Sequence, residues 1–304
     1  MSMPLAPSFL DPDRLSVQWV QDLMQQRLNE LTDSPAADAC RYHLGTGGGL
    51  MRARLALVSA SLVLSTEDAL HAAMACEWLH NASLIHDDIS DGEPLRRGQP
   101  TVCQHYGQGI ALCAGDLMLT LAFAETTEIT DSVVRHRIQK ALTRHTQRVI
   151  GAQSQELALT QTPKPVSFQM YMDASTQKTT PLIELSLGLG LADTLNEQSH
   201  RLAQALGLAY QILDDLDDVL SPEQPALNLH PLHAIHHHGR TNDIMMLSCH
   251  RALRHAQAAL KRADALCPEF PAPLSQELKQ LCHALYEHHQ QLLTLCIQTA
   301  KKAL

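Results

Sequence analysis

Apolar residues recur at helical spacing through nearly the whole of this chain, and that periodicity limits its fold more than any other feature. The pattern predicts helices over 15–31, 50–64, 109–128, 134–159, 167–191 and 197–220, and from 243 to the end. A further helix is predicted from Thr66 through Asp91, broken by Gly92-Glu93-Pro94 before a loop carrying Arg96-Arg97-Gly98. Residues 221–240 read as irregular, and the prolines between Cys267 and Pro273 separate the last two helices. No stretch alternates apolar and polar residues as a half-buried strand requires, and no repeat or dividing linker interrupts the series. Only 4% of the residues are aromatic while Leu and Ala dominate, which favours helix over sheet. The expectation is a single all-α domain over residues 1–304.

Charge then narrows the partners. Acidic residues outnumber basic ones by 32 to 23, for a net charge of -9, and no polybasic run appears. Nucleic acid and anionic membrane surfaces are excluded as expected partners. No segment reaches 18 uncharged apolar residues, so stable membrane insertion is not expected. Met1–Asp13 has no basic region followed by an apolar run, so a signal peptide is not expected either. Eight cysteines lie without paired spacing, with Cys76, Cys103 and Cys113 in apolar contexts. They are expected to be buried thiols in a reducing cytoplasm.

Against this background stand two acidic clusters, Asp87-Asp88-Ile89-Ser90-Asp91 and Asp214-Asp215-Leu216-Asp217-Asp218, about 125 residues apart. Each closes an apolar helical stretch, so its carboxylates lie next to core positions. Asp87 and Asp91 sit one helical turn apart, as do Asp214 and Asp218, and like charges at that spacing cost roughly 0.2–0.5 kcal/mol per pair. A bound cation would relieve that repulsion. Oxygen ligands suit Mg²⁺, and the twelve-residue loop of a helix–loop–helix Ca²⁺ site is absent. Arg96 and Arg97 follow the first cluster with guanidinium forks that match phosphate oxygens. Lys178-Thr179-Thr180 adds a point charge and two hydroxyls. Gly47-Gly48-Gly49, followed by Arg52 and Arg54, offers backbone approach to an anion, although no Gly-Lys-Ser/Thr closes it as a Walker loop. His86 adjoins Asp87 and reads either as a modulator of the metal site or as a packed helical histidine. His230, His233, His236, His237 and His238 read as a partly protonated loop in preference to a transition-metal site.

The run from Glu77 to Asp91, ending in Leu95-Arg96-Arg97-Gly98-Gln99-Pro100-Thr101, resembles the first aspartate-rich region of the trans-isoprenyl diphosphate synthases (the polyprenyl synthetase family). Tyr210 to Asp218 resembles the second. Gly115-Asp116, Gly151-Ala152-Gln153 and Lys178-Thr179 fall between them in the family's order. The resemblance implies an antiparallel helical bundle around a central cavity, in a homodimer. It implies that the two aspartate clusters face each other and hold three Mg²⁺ ions on an allylic diphosphate. Ionisation of the carbon–oxygen bond then leaves an allylic cation, which the double bond of isopentenyl diphosphate attacks to give a longer linear prenyl diphosphate. The metal ligands so implied are Asp87, Asp88, Asp91, Asp214, Asp215 and Asp218. Arg96, Lys178, Thr179 and Gln211 are implied for the allylic substrate, and Arg52, His80 and Arg97 for isopentenyl diphosphate. Lys178 and the aspartates would be catalytic.

The chain also departs from the family. Gly49 stands where a lysine usually precedes the arginine matching Arg52, which removes one cation from the isopentenyl diphosphate site. No lysine lies between Lys178 and Lys261, where the family carries Gly-Lys pairs. Product length in the family follows the residues one or two turns before the first aspartate. Here these are Leu79, Ala82 and Ser83, and the absence of a bulky aromatic among them points to a product of C20 or longer. A terpene synthase-like lyase on the same fold is the alternative reading, favoured by Gly49 and opposed by Arg52, His80 and Arg97. A non-catalytic subunit of a heteromeric synthase is disfavoured by the two intact acidic clusters.

Overall fold

The computed structural model describes residues 16–160, 167–191, 196–220 and 242–302. The elements are α1 (Val17–Glu30), α2 (Pro35–Gly45), α3 (Met51–Ala60), α4 (Thr66–Asp91), β1 (Leu95–Arg96), β2 (Gln99–Pro100), α5 (Val102–Tyr106), α6 (Gln108–Thr127), α7 (Ser132–Thr160), α8 (Phe168–Gly188), α9 (Asn196–Leu220), α10 (Asn242–Leu266), a 3₁₀ turn (Cys267–Glu269) and α11 (Ala272–Lys302). The all-α expectation holds. The histidines of 230–238 lie outside the described residues, as does the Asp218 side chain.

The chain divides into two compact units, residues 1–146 with 185–193, and residues 147–184 with 194–304. In the first unit α4 is the central helix, packed chiefly on α6 and α3. Its start is fixed by Ser65, whose hydroxyl accepts the Asp68 N–H at 3.1 Å, with Glu67 and Asp68 in the first turn. Gly92 ends it in the left-handed region at φ 68. Nearly every face of α4 is buried, with Trp78, Leu70, Met74 and Ile85 in the core. α6 is the one described helix long and apolar enough to cross a membrane. In this unit it is a packing partner of α4, with Ala111, Ala114, Met118 and Ala122 fully buried. The second unit is built on α9, α10 and α11, packed against one another.

Local differences from the sequence pattern have identifiable causes. α2 is additional to the expected helices and is opened by a Ser34 cap with Pro35 at its first position. The expected loop at Arg96-Arg97-Gly98 is a two-residue antiparallel hairpin, Leu95 opposite Pro100 and Arg96 opposite Gln99. Arg97 (φ 54) and Gly98 (φ 74) form its tip, because a two-residue turn that matches strand twist needs positive φ at both positions. Pro181 lies inside α8, within the expected helix over 167–191. The expectation that the thiols are buried fails for Cys113, which is exposed, and Cys103, which is half-buried. α6 turns its Cys113 position outward, and an apolar sequence context does not report which face of a helix a residue occupies.

One close approach supports a stability prediction. A Cβ at Gly190 would overlap the Ser59 carbonyl oxygen, and the Gly190 N–H donates to Ser59 Oγ at 3.1 Å. Gly190→Ala is expected to cost about 1–3 kcal/mol, read as a fall of several degrees in the thermal midpoint.

Candidate functional site

Both acidic clusters occupy the C-terminal ends of long helices, the first on α4 and the second on α9. Unpaired carbonyls there already concentrate partial negative charge, so each carboxylate is disfavoured by roughly 0.3–1 kcal/mol. Neither helix carries a basic residue in its last turn to offset this. Acidic residues placed against the local field make these helix ends candidate functional positions.

In the first unit, Asp87 and Asp91 are half-exposed, whereas Asp88 is 1% exposed. Arg96, from the hairpin, grips Asp88 with a forked pair, Nε to Oδ1 at 2.9 Å and Nη2 to Oδ1 at 2.7 Å. Burial raises the Asp88 carboxyl above its ordinary pKa, and the Arg96 hydrogen bonds partly oppose this. One expected metal ligand and one expected diphosphate-binding arginine are therefore partners.

The three residues implied for isopentenyl diphosphate converge in the same unit. Arg52 Nη1 donates to His80 Nε2 at 3.2 Å. Burial, followed by Arg52, Arg97 and Arg96, holds His80 well below the usual imidazole pKa. Burial and the same Arg96 and Arg97 push His43 down to about 3. Two neutral imidazoles thus stand among three guanidiniums, an arrangement that attracts an anion. Buried Glu77 and Asn81 brace it: Asn81 Nδ2 donates to Glu77 Oε1 at 3.0 Å, and Glu77 Oε2 accepts the Ala53 N–H at 3.2 Å. His43 Nε2 donates to Asn81 Oδ1 at 3.1 Å. Gly48 (φ 157) lets the Arg97 guanidinium approach closely, since a Cβ there would lie 2.8 Å from it and the arginine would have to shift. Gly49 points into open space, with nothing within 4 Å of its Cβ direction. Gly115 of the Gly115-Asp116 pair has its own cause, because a Cβ there would overlap the His86 ring. His86 Nε2 lies 3.5 Å from Asp116 Oδ1.

In the second unit a chain of hydrogen bonds ends on Asp215. Thr179 Oγ1 donates to Gln211 Oε1 at 2.8 Å, and Gln211 Nε2 donates to Asp215 Oδ1 at 2.8 Å. The Tyr171 hydroxyl donates to Asp215 Oδ2. α8 and α9 come close enough for this at Gly207, whose Cβ would stand 3.2 Å from the Thr180 backbone nitrogen. Lys178 pairs with Glu156 of α7 at 3.1 Å. Asp214 is exposed, and Asp217, outside the expected ligand set, faces His288 Nε2 at 2.8 Å. The Gln153 amide has neither a donor nor an acceptor partner among the described residues, so it is available to a ligand.

Tyr171 and Glu156 are absent from the residues singled out in the sequence, yet a signal existed for each. Tyr171 precedes Lys178 by seven residues, two helical turns on one face, and Glu156 follows Gln153 by three. Leu79 and Ala82 are buried at 3% and 2% exposure, and Ser83 is half-exposed with its hydroxyl on the His80 carbonyl at 2.7 Å.

Known proteins resemble this chain over much of its length. The Polyprenyl synthetase family matches over residues 34–226. A short chain isoprenyl diphosphate synthase of Methanocaldococcus jannaschii is 34% identical over 198 residues, 63% of this chain and 60% of that protein's length. A geranylgeranyl diphosphate synthase of Cyanophora paradoxa is 33% identical over 218 residues, 67% of this chain and 72% of that protein. The solved geranyltransferase of Helicobacter pylori, described as complexed with magnesium and isoprenyl diphosphate, superposes with a TM-score of 0.73 at 22% identity. That match covers 94% of this chain and all of that one.

Burial pushes the Asp215 carboxyl from its ordinary 3.8 up to about 8, against the hydrogen bonds from Tyr171 and Gln211. A carboxyl raised in the folded state holds its proton more tightly there than in the unfolded chain. The fold therefore loses stability as pH rises from about 4 through about 8. With divalent cations chelated, Asp215→Asn is expected to flatten the fall in thermal midpoint across that window. Tyr171→Phe, which removes a donor to the ionised form, is expected to steepen it.

Proposed function

Because the chain belongs to the polyprenyl synthetase family, we propose that it is a trans-prenyltransferase joining an allylic prenyl diphosphate to isopentenyl diphosphate. The observation that carries this reading is the cluster of Arg52, Arg96 and Arg97 around neutral His80 and His43, beside the Asp87–Asp91 carboxylates. An anion-binding group next to a cation-binding group suits a substrate whose diphosphate must be held while another diphosphate departs.

The carboxylates fit the metal that the family implies. Asp87, Asp91, Asp214 and Asp215 offer only oxygen, the donor of hard cations, at helix ends without a basic residue in the last turn. Asp88 would join them on exchanging its Arg96 partner; Asp218 is the remaining proposed ligand. Mg²⁺ bound there, three ions by family resemblance, would neutralise charge on the departing diphosphate.

The chain's own groups supply the rest. Lys178, Thr179 and Gln211 would hold the allylic diphosphate, and the family resemblance assigns Arg96 to the same substrate, which would require its release from Asp88. Arg52, His80 and Arg97 hold isopentenyl diphosphate. These charges act on the leaving group electrostatically and form no covalent bond to the substrate. When the carbon–oxygen bond breaks, the diphosphate leaves with the electron pair. The double bond of isopentenyl diphosphate supplies the electrons of the new carbon–carbon bond, and loss of a proton restores an alkene. Ala82 and Ser83 are small, and neither they nor buried Leu79 is a bulky aromatic, which supports a product of C20 or longer. The proposal extends to residues 1–304 acting as one domain, in a homodimer, in the cytoplasm.

The direct test is incubation with Mg²⁺ and geranyl or farnesyl diphosphate, with and without isopentenyl diphosphate, and mass spectrometry of the products. Elongated diphosphates that require isopentenyl diphosphate are expected. Hydrocarbon formed without it would overturn the reading in favour of a lyase, and no turnover would overturn it in favour of a non-catalytic subunit. Ala82→Phe is expected to shorten the products. The open space at Gly49 gives a gain-of-function prediction. Gly49→Lys is expected to lower KM for isopentenyl diphosphate by about tenfold, the value of one added charge-assisted contact, with KM for the allylic substrate unchanged.

A further inference from the structure

Outside this site, two pairs of cysteines that are remote in sequence come together where α11 packs on α10. Cys249 is hydrogen-bonded to Cys296, and Cys267 to Cys282. The second pair has a third companion. Asp264 lies in the last turn of α10, three residues before Cys267 and so on the same helical face. The 3₁₀ turn begins at Cys267, and Pro268 and Pro271 stop α10 from continuing, so that α11 returns to place Cys282 beside Cys267. The two sulfurs stand 3.9 Å apart at 0% and 1% exposure. A carboxylate oxygen of exposed Asp264 lies within 4.8 Å of both. Among the described residues no other trio of His, Cys, Asp and Glu donors gathers so closely.

We propose that Asp264, Cys267 and Cys282 form a binding site for a thiophilic divalent cation, with Zn²⁺ the best match. Two thiolates bound to one tetrahedral Zn²⁺ at about 2.3 Å each are separated by roughly 3.8 Å. The sulfurs therefore already stand at coordinating separation, whereas a disulfide would need them to close to about 2.05 Å. A carboxylate oxygen belongs roughly 3.5 Å from each sulfur in the same geometry. Asp264, being exposed, covers the difference by side-chain rotation. Three protein donors leave the fourth position to water on the open side of Asp264.

Ligand chemistry separates this site from the aspartate clusters. Thiolates select soft and borderline ions, and all-carboxylate groups select Mg²⁺. Cys267 Sγ at present donates to the Ala263 carbonyl at 3.3 Å, and metal binding replaces that weak bond and the thiol–thiol contact with two metal–sulfur bonds. Each bond forms as the thiol proton is released to solvent, with no change of oxidation state. Because Asp264 lies in the last turn of α10 and Cys267 opens the turn that follows, while Cys282 lies on α11, the ion ties the end of α10 to α11. A ligand that binds only the folded chain raises its thermal midpoint.

The test is a Co²⁺ titration of the full chain, reduced with a phosphine and stripped by a chelator. The readout is the near-ultraviolet thiolate-to-cobalt absorption. One equivalent is expected to saturate the band, Zn²⁺ to displace it and Mg²⁺ to leave it. Cys267→Ser and Cys282→Ser are expected to abolish it, Asp264→Asn to weaken binding by about tenfold, and the Cys249→Ser/Cys296→Ser double variant to retain it. Should the buried cysteine variants fail to fold, Asp264→Asn at its exposed position carries the test alone. No band in the wild type, a band that survives Cys267→Ser, or undiminished affinity in Asp264→Asn would overturn the proposal. Quantitative loss of these two thiols to a disulfide under oxidised glutathione, with no metal uptake on reduction, would overturn it as well.

Discussion

Carboxylates at the C-terminal ends of α4 and α9 are the constraint around which this protein is arranged. Each end carries the negative pole of its helix, several acidic side chains at repelling spacing, and no basic residue in the last turn. An isolated helix would gain from any neutral replacement there. Burial elsewhere sustains the cost. α4 is covered along most of its length, and the Ser65 cap and Gly92 stop fix where it begins and ends. A helix anchored so firmly can tolerate an unfavourable terminus, and the candidate metal ligands Asp87, Asp88 and Asp91 occupy that terminus.

The two units manage their acidic groups differently. In the first, Asp88 is satisfied by the Arg96 fork, and the two-residue hairpin is what brings Arg96 back onto the helix it follows. In the second, Asp215 is satisfied by neutral donors, Tyr171 and Gln211, and its carboxyl is pushed far up by burial. A cation that binds either group has a different competitor to displace, a guanidinium in one case and a proton in the other.

Much of the fold and site was legible because the physics is local. Helical periodicity placed the long helices within a few residues of their observed limits. The motif residues Arg52, His80 and Arg97 were named from the chain, and the fold brings Arg52 and His80 within 3.2 Å, with Arg97 in the same charged group. Less was legible where two distant segments meet. Tyr171 of α8 reaches Asp215 of α9, two helices that approach closely at Gly207. The Arg96–Asp88 pair depends on a turn with a non-glycine residue at positive φ, which no propensity predicts. The cysteines looked unrelated because their partners lie 15 and 47 residues away, spacings with no meaning until α11 packs on α10.

The sequence by itself determined the helical class, the positions of both acidic clusters, and the cations and hydroxyls that accompany them. These follow from composition, periodicity and residue chemistry, which need no knowledge of distant contacts. Tertiary structure alone decided which carboxylates are held by arginine, tyrosine or glutamine, which glycines are sterically required, and which thiols face one another. Each of those depends on the approach of two helices to within side-chain reach, and that distance is set by the packing of the whole unit.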